Sequence, residues 1–210
     1  LFLLVLSGNP FALLLSYFGH LPLFLTGLWQ GPKRLLVAAF AACIALVLMG
    51  GLLPFTVFMV VFAGPAMLLT RMALVIRKDQ NGNVAFLPSG IVVSAMAVMV
   101  ATVMIFVTGT LTAEGVDIQD FIAKFLSQMY SEMGVPMTSD VQGLIGMFQT
   151  YFPAIAAVSW LLMLFANAAI AQAILVRAGK NLRPTPSMAT FALPGWSLFV
   201  FALAGFTVGF

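Results

Sequence analysis
The sequence predicts an all-α, polytopic transmembrane helical bundle with amphipathic helices in one extracytoplasmic loop. Three observations carry that prediction. The 210-residue chain is 62% hydrophobic and only 7% charged, with no room for the polar exterior of a soluble domain. Several of its apolar runs reach the roughly 18–20 residues that cross a bilayer as helix. Its basic and acidic residues fall into different loops.

Six apolar segments follow from the first two observations. Segment A covers about 11–29, after the turn Ser7-Gly8-Asn9-Pro10. Segment B covers about 35–53 and segment C about 55–76, joined by a link too short for anything but a hairpin. Segment D covers about 88–111, segment E about 151–176 and segment F about 188–210. The opening residues lack the basic flank of a signal peptide. The chain reads as a single transmembrane domain over 1–210, cut at both ends.

The charges orient these segments. Lys33 and Arg34 lie between A and B, Arg71, Arg77 and Lys78 at the end of C and in the loop before D, and Arg177, Lys180 and Arg183 between E and F. The stretch 112–150 carries Glu114, Asp117, Asp120, Glu132 and Asp140 against Lys124 alone. The positive-inside rule then makes loops 30–34, 77–87 and 177–187 cytoplasmic and 112–150 an extracytoplasmic insertion. A net charge of +3 spread over such loops excludes a nucleic-acid surface. Gly179 and the prolines beyond it should stop segment E at the headgroups. Cys43, without a second cysteine, serves as a small apolar filler.

The insertion is patterned. Ile118, Phe121, Ile122, Phe125, Met129 and Met133 recur at helical spacing, opposite Asp120, Lys124, Gln128 and Glu132. Asp117 suits the N-cap of this helix. Val141, Leu144, Ile145 and Phe148 repeat the pattern and lead into E. Such helices lie on a membrane surface or close over an outward-facing cavity.

Chemistry-bearing residues are sparse. No Asp or Glu falls in a span, which speaks against a proton-coupled pump. His20 is the lone histidine and no HExxH occurs, so no metal, cofactor or enzymatic activity is predicted. Within the spans, His20 shares a face with Tyr17, and Pro22 should bend the helix and free carbonyls nearby. Asn167 shares a stripe with Trp160 and Ala171. His20, Tyr17, Trp160 and Asn167 form the candidate ligand-binding set, and for His20 and Asn167 an interhelical hydrogen bond is the competing role. Gln172 reads as an interface residue, and Arg71 as one that snorkels to lipid headgroups or meets an anion.

The run from Ala166 through Pro186, the B–C hairpin and the amphipathic insertion together resemble the YybS-like bacterial membrane proteins, the family of domain of unknown function 2232. That resemblance implies a bacterial inner (cytoplasmic) membrane location. The family in turn is similar to the S components of energy-coupling-factor transporters, bundles of about six helices that capture a small molecule from outside. The implied function is a non-enzymatic, transport-related small-molecule-binding component. Its partners would be the lipid bilayer, a small-molecule ligand and an energising module. The alternative is a structural or assembly protein that holds membrane partners through small-residue helix faces.

Overall fold
The computed structural model describes residues 17–78, 84–186 and 191–197. Among these lie helices α1 (Leu21–Gln30), α2 (Pro32–Gly50), α3 (Leu52–Val57), α4 (Gly64–Ala73), α5 (Ser89–Ala113), α6 (Ile118–Glu132) and α7 (Ser139–Arg177). A π-helical stretch, Phe58–Ala63, joins α3 to α4. Strands β1 (Ile76–Lys78) and β2 (Val84–Phe86) pair antiparallel, Arg77 facing Ala85.

Among the described residues, four stretches are long and apolar enough to cross a membrane: Pro32–Gly50, Leu52–Ala73, Ser89–Ala113 and Ser139–Arg177. They coincide with segments B, C, D and E. The first part of segment A and most of segment F lie outside the described residues. The chain divides into two compact units, 1–98 with 162–210, and 99–161. The second unit is wider than the 112–150 insertion, because it takes in more than half of α5 and of α7.

The first unit is packed through small residues. In α2, the buried residues Leu35, Ala39 and Cys43 form one stripe at i, i+4 and i+8. Its large residues Leu36, Val37, Phe40, Ile44 and Leu48 point outward and are exposed. A water-soluble helix would invert that arrangement; hydrocarbon as the surrounding solvent makes it stable. Between α1 and α4, a Cβ on Gly27 would sit 2.5 Å from the Thr70 hydroxyl oxygen, so the two helices approach as only glycine permits. A Cβ on Gly90, at the start of α5, would collide with the Ala192 carbonyl.

Pro22 does not bend a continuous helix among the described residues. It stands in the first turn of α1, after a turn at 17–20. Its missing N–H is one that a helix start leaves unbonded in any case. Pro65 acts differently. It lies just past the π-helical stretch, where the Gly64 N–H reaches back to the Met59 carbonyl. The wider turn accommodates a proline inside a span without ending it.

In the second unit, Asp117 caps α6 as its sequence position predicts. Its Oδ1 accepts the Gln119 and Asp120 N–H groups at 2.9 and 3.2 Å. Ile122 is buried while Phe121 and Phe125 are exposed. Lys124 and Asp120 pair at 2.6 Å on the polar face, which raises the Lys124 pKa. So exposed an ion pair adds little stability. Gly134 closes α6 in a left-handed turn, with Val135 N–H bonded to the Tyr130 carbonyl at 3.0 Å. The repeat after it does lead into segment E: α7 is one 39-residue helix with Pro153 inside.

Candidate functional site
The described part of the first unit contains a cavity of about 810 Å³ lined by α1, α4, α5, α7 and the chain after α7. Phe24, Leu28, Leu69, Val92, Val93, Met96 and Phe165 give it apolar walls. Thr70, Ser89, Gln172, Arg177, Arg183 and Thr185 supply polar groups. Apart from Thr70 these lie near the start of α5 and beyond the middle of α7, so the lining grades from apolar to cationic. The Thr70 hydroxyl is buried and has no hydrogen-bond partner. It packs against Gly27 of α1, and a buried hydroxyl in that state costs free energy.

The cationic end is assembled by the loop after α7. Helix α7 closes at Gly179, at φ 65, with Gly179 N–H bonded to Val176 O at 3.1 Å and Lys180 N–H to Leu175 O at 2.9 Å. This double closure turns the chain sharply back towards the bundle. Leu182 N–H then reaches Leu28 O at 3.3 Å, and Lys180 Nζ lies 4.5 Å from the centre of the Trp29 ring. Arg183 follows, half-buried. Its Nη1 donates to Ala73 O at 3.0 Å and its Nη2 to Leu87 O at 2.8 Å. Its own carbonyl accepts from Gln172 Nε2 and Asn181 Nδ2, each at 2.8 Å. One residue thereby joins the end of α4, the exit of the β-hairpin and α7. Burial lowers the Arg183 pKa from its ordinary value, yet a guanidinium stays charged at any physiological pH.

The residues singled out from sequence take these places. His20 is buried, and its Nε2 donates to Val61 O at 2.7 Å. Its ring stacks on Phe62, centroids 4.7 Å apart. Asn167 is buried and donates from Nδ2 to Tyr17 O at 2.6 Å and Met163 O at 2.8 Å. The Tyr17 side chain is exposed, and only its carbonyl takes part. Trp160 lies in the second unit, with its indole N–H buried and unpartnered. None of these four is among the described residues that line the cavity, which gathers around Gln172, Arg177 and Arg183 instead. Arg71 is exposed in the last turn of α4. Thr70 and Arg183 were not singled out from sequence. A threonine in an apolar run and an arginine among loop cations carry no distinguishing signal until the chain is folded.

Four membrane-length helices among the described residues, outward-facing apolar side chains and a cavity between spans define a polytopic α-helical integral membrane protein whose helices contact the lipid bilayer. The chain belongs to the family described as "Predicted membrane protein (DUF2232)", which matches residues 1–210. No curated protein and no solved structure matches the chain.

Proposed function
We propose that this membrane protein binds a small molecule in the cavity between α1, α4, α5 and α7, as a non-enzymatic component of a transport process in the bacterial inner membrane. The cavity carries the reading: it has a volume suited to a metabolite-sized ligand, apolar walls and a few polar groups at one end. The lysines and arginines of loops 30–34, 77–87 and 177–187 support a cytoplasmic position for that polar end. On this reading the ligand is met at the inner face, unlike the capture from outside that S components perform.

Purification of the full-length protein, with mass spectrometry of what travels with it, tests the reading. A bound small molecule that is lost when Ala169 in the cavity wall is changed to Trp supports it. A stoichiometric membrane-protein partner with no such ligand would support an assembly role instead.

A further inference from the structure
We propose that the cavity takes an anionic amphiphile, a molecule with an apolar tail and a phosphate or carboxylate head. Arg177 and Arg183 face the head, and α5 and α7 hold the tail. This inference rests on the reading of the cavity as a ligand site and adds the chemical class.

Charge balance is the first argument. Eight of the nine Lys and Arg residues belong to the first unit, against Asp79 as its sole acidic residue. Asp79 lies outside the described residues, so no described carboxylate in this unit can neutralise the two arginines on the cavity wall. Arg183 is held by the Ala73 and Leu87 carbonyls, which fix its position without cancelling its charge. A guanidinium has five N–H donors, and these two bonds leave donors for an anion.

The walls supply the second argument. Phe24, Val93, Met96 and Phe165 offer a polar metabolite nothing to bond. A wholly apolar ligand would bury the arginines without an anion. An anionic head on an apolar tail suits both ends. A zwitterionic head would bring a cation against two guanidiniums, and like charge disfavours it.

The probes are phosphatidylglycerol, phosphatidylcholine and dodecyl phosphate, added to the delipidated full-length protein in neutral detergent and read by native mass spectrometry. The expected result is a one-to-one adduct with phosphatidylglycerol that is at least about tenfold tighter than with phosphatidylcholine. Arg177→Gln should weaken it roughly tenfold, on the scale of one lost charge-assisted bond. Ala169→Trp should remove it by filling the tail site. Arg34→Gln, a cation off the cavity, should leave it unchanged. Dodecyl phosphate that displaces the phospholipid identifies a free amphiphilic anion as the ligand source, and its failure to do so identifies a bilayer lipid; both support the class. Phosphatidylcholine adducts as tight as phosphatidylglycerol adducts, and removed by Ala169→Trp, would overturn the anionic class while leaving a ligand site. If Ala169→Trp removes no adduct of any kind, the inference and the ligand reading fall together.

Discussion

His20 Nε2 lies 2.7 Å from the carbonyl oxygen of Val61, in the π-helical stretch before Pro65. In an α-helix the Val61 carbonyl would accept the N–H of residue 65, and proline has none. A carbonyl only accepts, so the His20 proton sits on Nε2 and the imidazole is the donor. A related exchange occurs three residues earlier. The turn at 17–20 sends Leu21 N–H to Phe18 O at 3.0 Å, and Asn167 takes up the Tyr17 carbonyl. Two intramembrane polar side chains thus serve backbone carbonyls, one in a π-helical stretch and one in a turn, in a solvent with little else to offer them.

His20→Leu should therefore destabilise the bundle by about 1–3 kcal/mol, since it leaves a buried carbonyl without a donor. The same change in a Pro65→Ala background should cost at least about 1 kcal/mol less, because residue 65 then has an N–H to give. Unfolding of the four proteins in one detergent measures the difference. Equal costs in both backgrounds would mean that His20 does not serve Val61.

Asn167→Leu removes the donor to Tyr17 O and Met163 O. Interhelical bonds of this kind contribute about 1 kcal/mol in membranes, and stability should fall by that amount. Since Asn167 is not among the cavity-lining residues, the variant should bind whatever ligand the wild type binds, within about twofold after correction for stability. Loss of binding at unchanged stability would sink this assignment and make Asn167 a ligand contact.

The spans were legible because bilayer thickness imposes a length that composition reveals directly. Asp117 and Gly179 were legible because caps obey local rules, and the structure has both in those roles. The β-hairpin went unread although Asn81-Gly82 between Val75-Ile76 and Val84-Phe86 is a hairpin signal; three-residue strands are too short to show a period. The cavity's cationic end was not legible for a different reason. Arg183 bonds carbonyls 110 and 96 residues away. Side-chain patterning does not encode a backbone acceptor. The same holds for His20 and Asn167: their depth could be read, but their partners could not.

Arg183→Lys tests whether the loop after α7 is held by geometry or by charge. Lysine keeps the charge but has a single nitrogen, and it cannot span the Ala73 and Leu87 carbonyls as the guanidinium does. The expected cost is about 1–2 kcal/mol for the lost pair of bonds. Hydrogen exchange should quicken in Ile76–Lys78 and Val84–Phe86, whose exit the arginine fixes. Unchanged exchange there would show that the hairpin stands without Arg183.

Topology can be tested with single cysteines at Ala85, Ser131 and Ala178 on a Cys43→Ala background, all at exposed positions. Helix α5 has 25 residues, about 37 Å at 1.5 Å per residue, enough to cross a hydrocarbon core of about 30 Å. Ala85 precedes it and Ser131 follows it, so a single crossing by α5 should separate them. Helix α7 has 39 residues, and its second half should carry the chain back across to Ala178. The lysines and arginines flank Ala85 and Ala178, while Ser131 sits among carboxylates. An impermeant maleimide added to intact cells should label Ser131→Cys alone, and the other two should react only in inverted vesicles. Labelling of Ala85→Cys and Ser131→Cys from the same side would mean that α5 does not cross. Labelling of Ala178→Cys together with Ser131→Cys would mean that α7 does not return, and the cavity between those two helices would lose its place in the membrane.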